Sequence, residues 1–291
     1  MDATTASALA VRPLPQVMVE PLVRAALLED LGRAGDVTTD AVVPPGALLR
    51  AALVARQQGV VAGLDLAALA FRLLDPAIVV EVMRPDGSVL APGEVIATIA
   101  GPARGVLTGE RTALNFLCHL SGVASATAGI VAAIRPWKAQ LVCTRKTMPG
   151  LRAVQKYAVR AGGGGNHRFG LDDAVLIKDN HVAIAGGVVE AIRRARAHVG
   201  HMVKIEVEVD TLAQLEEVLG VGVDAVLLDN MGPQMLREAV ALVAGRALCE
   251  ASGRISPATA PAVAAAGVDL ISAGWLTHSA PVLDIGLDFR A

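Results

Sequence analysis

The sequence predicts an α/β protein in two parts, a small sandwich followed by a parallel α/β barrel or open sheet. Two textures point to this. From Leu48 to Ala100, short β-like runs are broken by turn signals at Pro85-Asp86-Gly87 and Pro92-Gly93. After Glu110, long helical segments alternate with short apolar strands, the pattern of repeated right-handed strand–helix units. At 291 residues, the chain is long enough for one or two domains, each with its own core.

Residues 1–20 read as a loose lead-in, and Pro21 as the start of a helix that Gly32 ends. Strands are expected at Arg50–Arg56, Val79–Arg84 and Val95–Ile99, with a helix near Leu64–Leu74. Ala113 to Ile134 carries no formal charge, yet Asn115, His119, Ser121, Ser125 and Thr127 interrupt it. That favours a buried helix over a membrane span. Barrel-type strands are expected at Gln140–Cys143, Ala174–Ile177, Val203–Val209, Ala225–Leu228, Ala247–Glu250 and Leu270–Ser272. Helices fall between them, one beginning at Pro149, and Leu283–Phe289 reads as a strand returning to the first part.

Net charge is −2 and aromatics make up 2% of the chain, a poor basis for nucleic-acid binding. Cys118, Cys143 and Cys249 have no zinc-like spacing and read as reduced thiols of a cytosolic protein. No secretory signal is expected at the N-terminus.

Charge is nevertheless concentrated. From Arg111 to Leu171 there are nine Arg or Lys and no Asp or Glu. A focused positive field of that kind suits a compact, multiply anionic ligand. Polar residues also gather at strand C-terminal ends, where barrel active sites assemble. They are Thr144-Arg145-Lys146, Lys178-Asp179-Asn180-His181, Asp229-Asn230, Ser252-Gly253 and Ala273-Gly274.

Arg145 offers a fork for a carboxylate and Lys146 a point charge for phosphate, with surface ion pairing as the plainer alternative. Arg152, Lys156 and Arg160 share a helix face, which a solvated surface would also explain. Four glycines at 162–165 precede Asn166-His167-Arg168 and permit close approach of a ligand. Lys178 is either an anion ligand or a Schiff-base lysine. Glu206, Glu208 and Asp210 alternate with apolar residues, so they are expected on one strand face, holding Mg²⁺ with Asp229 or forming ordinary salt bridges. The late loops, through Thr277-His278-Ser279, suit a phosphate.

Several segments together resemble the quinolinate phosphoribosyltransferase family. They are Gly109-Glu110-Arg111-Thr112-Ala113-Leu114-Asn115, Thr144-Arg145-Lys146-Thr147, Lys156-Tyr157-Ala158-Val159-Arg160, Asn166-His167-Arg168, Lys178-Asp179-Asn180-His181, Glu206-Val207-Glu208-Val209, Leu228-Asp229-Asn230 and Leu276-Thr277-His278-Ser279. The resemblance implies an N-terminal α/β sandwich, residues 1–114 with 279–291 returning to it, and an incomplete TIM-like α/β barrel over 115–278. It implies a cytoplasmic glycosyltransferase of NAD biosynthesis acting on quinolinate and phosphoribosyl pyrophosphate with Mg²⁺, and no nucleic-acid or membrane partner. A homodimer with a site shared between subunits is implied too, with further assembly left open.

By the same resemblance, Arg111, Arg145, His167, Arg168 and Lys178 surround quinolinate. Lys146, Glu208, Asp229, Ser252, Gly253, Gly274 and His278 take phosphoribosyl pyrophosphate, and Glu208 and Asp229 hold the metal directly or through water. Arg254, Trp275 and Met148 depart from the family pattern. The rival readings are a molybdenum-transport-associated paralogue and a barrel lyase using Lys178.

Overall fold

The structure, a computed structural model, describes residues 11–289. Of the expected lead-in, residues 1–10 lie outside the described residues. In chain order the elements are α1 (Gln16–Leu31), α2 (Val37–Val42), β1 (Leu48–Ala55), β2 (Gly59–Val60), α3 (Leu64–Leu74), β3 (Val79–Val82), β4 (Val89–Leu90), β5 (Val95–Pro102) and α4 (Ala103–Ile134). Then follow β6 (Gln140–Val142), α5 (Arg152–Ala161), β7 (Val175–Ile177), α6 (Asp179–Ala185), α7 (Val188–His198), β8 (Ile205–Val209), α8 (Leu212–Val221), β9 (Ala225–Asp229), α9 (Pro233–Val243), β10 (Leu248–Ser252), α10 (Ala260–Ala264), β11 (Leu270–Ser272), α11 (Trp275–His278) and β12 (Ile285–Phe289).

They divide into two compact units. One contains the chain up to Ala126, Pro149–Gly163 and the segment from Ala280 on; the other contains Thr127–Met148 and Gly164–Ser279. In the first, an antiparallel sheet runs β12-β1-β5-β3, with β2 and β4 paired separately. The C-terminal strand does return as expected, pairing Ala55 with Ile285 through Ala51 with Phe289. All five residues from Ala51 to Ala55 are buried, so both faces of β1 are covered along this stretch.

The second unit holds a parallel sheet in the order β6-β11-β10-β9-β8-β7, with β6 and β7 at its two ends. Apart from β8, where Glu206 and Glu208 alternate with apolar residues, and from Gln140 and Glu250, these strands are apolar until their last residue, as suits parallel strands covered on both faces. Six strands in this order give the incomplete α/β barrel that was expected.

Four local expectations need correcting. The first helix begins at Gln16, not Pro21, which sits inside α1. Val17 and Pro21 are both exposed, so the carbonyl that proline cannot serve is left to water. Helix α5 begins at Arg152 rather than Pro149. Its basic row is only partly a solvated face: Lys156 is buried, while Arg160 is exposed and lies over the Tyr157 ring at 5.8 Å. Asp210 does not join Glu206 and Glu208, because β8 ends at Val209. Its backbone N–H instead meets Gln214 Oε1 at 2.9 Å, at the start of α8.

Helix α4 is long and apolar enough to cross a membrane by length and composition, but half of its most apolar window is already buried within this chain. Ser121 and Ser125 on it bind the backbone of Ala62 and Val60. Gly122 faces the Pro281–Val282 backbone so closely that an added Cβ would come within 2.9 Å of Val282 Cα and nearer still to the Pro281 carbonyl. Gly122→Ala should therefore destabilise by about 2 kcal/mol of overpacking, beyond the roughly 1 kcal/mol alanine gains in a helix. An unchanged urea midpoint would show that the C-terminal segment is not seated there.

Candidate functional site

The second unit's strand ends enclose a cleft of ≈ 390 Å³. It is lined by Thr144, Arg145, Lys146, His167, Arg168, Leu176, Lys178, Glu208, Leu227, Asp229, Glu250, Ser252 and Ser272. A second hollow, also ≈ 390 Å³, shares Thr144, Lys146, Asp229, Ser252 and Ser272 with it and adds Asn230, Gly253, Arg254, Gly274, Trp275 and His278. The two therefore form one continuous track. Of the residues that the family resemblance assigns to the substrates and the metal, all except Arg111 line it. Arg111 is exposed on α4, in the first unit.

Local structure explains why these side chains face the track. After β6 the chain turns at Thr144, whose hydroxyl accepts from the Lys146 N–H at 3.0 Å, while Thr277 Oγ1 donates to the Lys146 carbonyl at 2.8 Å. The turn thus presents Arg145 and Lys146 from a fixed backbone. Gly274 leaves room beside it for the Lys146 side chain, since an added Cβ would stand 2.8 Å from Lys146 Cδ and displace it.

Arg145 and Arg168 are two like charges without a carboxylate between them. Arg145 Nε is buried and has no hydrogen-bond partner. Arg168 gives one N–H to the Ala174 carbonyl at 2.9 Å, and burial, then Arg145, lowers its pKa. Arginine stays protonated regardless, so the pair forms a cation cluster that an anionic ligand would relieve. Across the cleft, Lys178 Nζ donates to Glu208 Oε2. Asp229 accepts from Ser252 Oγ and from Asn230 Nδ2, the latter at 2.6 Å. His278 is exposed at the far rim, with Nδ1 2.6 Å from Ser279 Oγ.

The cleft floor holds a group that the sequence did not disclose. His167 Nε2 lies 2.9 Å from Glu206 Oε2 and 3.7 Å from Glu250 Oε2. Both carboxylates are buried, Glu250 to 2% exposure. The three could geometrically surround a metal, but the chemistry opposes it. His167 Nδ1 accepts from the Arg168 N–H at 2.7 Å, so the ring proton sits on Nε2 and points at Glu206. Burial, and next the Glu206 charge, push the Glu250 carboxyl up to about 7. This cluster anchors the wall that carries Arg168.

The track can bind a molecule with several negative charges, with two strand-end carboxylates available to a cation. Two family profiles match the chain: quinolinate phosphoribosyl transferase, N-terminal domain, over residues 36–121, and the C-terminal domain of the same family over residues 123–288. A Mycobacterium leprae nicotinate-nucleotide pyrophosphorylase (carboxylating) is 47% identical over 274 residues, spanning 91% of this chain and 95% of its own. A probable enzyme of that name from Bacillus subtilis is 44% identical, spanning 90% of each chain. The crystal structure of NadC from Streptococcus pyogenes superposes with a TM-score of 0.92 at 41% identity, covering 96% of this chain and 100% of that one.

Proposed function

The chain belongs to the quinolinate phosphoribosyltransferase family, and we propose that its strand-end track holds the two substrates end to end. It is a nicotinate-nucleotide pyrophosphorylase of NAD biosynthesis, converting quinolinate and phosphoribosyl pyrophosphate to nicotinate mononucleotide, CO₂ and pyrophosphate. The observation that carries the arrangement is the junction of the two hollows at Lys146, Asp229 and Ser252, between a cation cluster and the Gly253–Gly274 loops.

In this reading Arg145, Arg168 and Lys178 bind the quinolinate carboxylates, with His167 forming the wall behind them. Lys146 meets the pyrophosphate as it departs. Ser252, Gly253, Gly274 and His278 surround the phosphate end of the ribose. Glu208 and Asp229 are oxygen-only donors at neighbouring strand ends, which fits Mg²⁺ and its preference for one or two carboxylates plus substrate phosphates. When bound, Mg²⁺ would offset charge on the pyrophosphate leaving group.

The ribose C1–O bond breaks as the pyridine nitrogen attacks, and the cleft's share is to hold that nitrogen in line. The ring nitrogen then carries positive charge and stabilises the electron pair left on C2 as the 2-carboxylate leaves as CO₂, and a proton taken up at C2 from solvent completes nicotinate mononucleotide. Cations around the other carboxylate keep the ring in register meanwhile. No lysine adduct is needed, and an ammonium paired with Glu208 is a poor nucleophile, which disfavours the lyase reading of Lys178.

A homodimer with Arg111 entering the partner's track, and a cytoplasmic setting in keeping with three cysteines that form no disulfide, complete the proposal. The test is labelled CO₂ release from carboxyl-labelled quinolinate, omitting phosphoribosyl pyrophosphate and Mg²⁺ in turn; release independent of either would sink it. Within it, Arg145→Ala should raise KM for quinolinate about 30-fold, the loss of a charge-assisted pair, and KM for phosphoribosyl pyrophosphate no more than about threefold. Equal weakening of both would contradict the assignment.

A further inference from the structure

Backbone strain in this protein is unevenly spread. Among the described residues three non-glycine residues take positive φ: Asn230 at 53°, Ala244 at 49° and Arg254 at 52°. Ala244 caps the C-terminus of α9, a place where left-handed residues are ordinary. Asn230 and Arg254 both line the second hollow, beside Lys146.

At Arg254 a glycine would hold the loop more cheaply. A left-handed L-residue costs about 1–2 kcal/mol, which glycine escapes. Such outliers persist only where the surroundings hold them, and they gather at ligand sites. The holding contacts are present. Trp275 Nε1 donates to the Ile255 carbonyl at 2.8 Å, and Thr259 Oγ1 donates to the Arg254 carbonyl at 3.1 Å. These bonds fix the backbone on the C-terminal side of the strained residue and leave the guanidinium uncommitted. Arg254 makes no ion pair among the described residues, and the hollow's one carboxylate, Asp229, is engaged by Ser252 and Asn230. Two of the three positions at which this chain departs from the family pattern, Arg254 and Trp275, are thus parts of one local structure.

We propose that Arg254 is a phosphate-binding residue of this chain. It gives the phosphomonoester end of phosphoribosyl pyrophosphate a positive charge beside the glycine loops, at a backbone position better suited to glycine. The inference rests on the reading that the second hollow receives that end of the substrate. It adds a ligand to the site that the glycine loops alone would not provide. An arginine fork also favours a terminal phosphate dianion over a neutral ribose end, so the residue bears on substrate discrimination as well as affinity.

Arg254→Gly tests this without endangering the fold, because glycine relieves the strain. It should raise KM for phosphoribosyl pyrophosphate about tenfold and weaken competitive inhibition by inorganic phosphate to match, with KM for quinolinate within about twofold. The melting temperature should stay level or rise, and Arg254→Lys should recover part of the affinity. A lowered melting temperature with both KM values raised would mean a structural role and overturn the proposal.

Gly274→Ala separates this inference from the reading beneath it. Its Cβ would press on Lys146 Cδ and Thr144 Oγ1, filling the same hollow. If Gly274→Ala raises KM for phosphoribosyl pyrophosphate and Arg254→Gly does not, the hollow takes the phosphate but Arg254 is not its ligand. If neither does, the placement of the phosphate end falls and the proposal with it.

Discussion

Arg111→Ala and Lys178→Ala subunits, each nearly inactive alone, should together return about a quarter of wild-type activity once allowed to exchange. Lys178 sits in the cleft at the end of β7, where losing a cation aimed at the substrate should lower kcat/KM by about 10²–10³. It also leaves Glu208 without its ammonium partner, so the deficit includes a carboxylate facing an anionic substrate. Arg111 is exposed on α4 and belongs to the first unit, whereas Lys178 is carried by the second.

If Arg111 serves the partner's track, a hybrid dimer holds one site with both residues and one with neither. Random pairing of equal amounts makes half the dimers hybrid, and half of their sites are whole, which gives the quarter. Size-exclusion and a labelled-subunit exchange would establish that hybrids form. With exchange established, activity no higher than that of the separate variants would overturn the shared site.

Much of this was legible because function sits where apolar runs stop. Val142, Ile177, Leu228 and Ser272 each end or nearly end a short strand, and the polar residues that follow are the ones lining the track. Strand–helix alternation needs only local periodicity to be seen, and long helices such as α7 and α8 carry it plainly. What was not legible depended on distance in sequence. In the sequence Glu250 closes the expected strand Ala247–Glu250 and reads as one more strand-end acid, whereas it sits in the middle of β10. Only the barrel's curvature brings it to His167, 83 positions earlier in the chain, and to Glu206, two strands away in the sheet. Asp210 was misplaced because alternation continues in the letters after the strand itself has turned. Pro21 was misread because proline is favoured in a first helical turn, and nothing local says that a solvent-facing turn precedes it. The short helices α2, α6 and α11 have too few residues for a period to register.

The hidden acid leads to the largest expected pH effect on stability. Burial first, and the Glu206 charge second, raise the Glu250 carboxyl from an ordinary 4.5 to about 7, against the opposing pull of His167 and Ser272. The folded protein therefore keeps this proton nearly to neutrality, whereas the unfolded chain releases it near 4.5. The sign follows from that order. Stability from protonated Glu250 is fully present below pH 4.5 and is lost as pH rises through about 7, after which the loss levels off. A shift of this size corresponds to roughly 3 kcal/mol.

Glu250→Gln keeps the shape and hydrogen-bonding of the protonated acid and cannot ionise. Urea unfolding across pH 4.5 to 8 should show the variant gaining on the wild type steadily, to a lead of roughly 2–3 kcal/mol at the alkaline end. A difference that stays flat over this window would mean that Glu250 is ionised in the fold throughout. The same proton couples to the cleft. An anion held by Arg145 and Arg168 disfavours a further negative charge beneath it, so quinolinate binding near neutral pH should take up protons in the wild type and fewer in Glu250→Gln. Calorimetry in buffers of different ionisation enthalpy reads that difference directly, and equal uptake by both proteins would place the titrating group elsewhere.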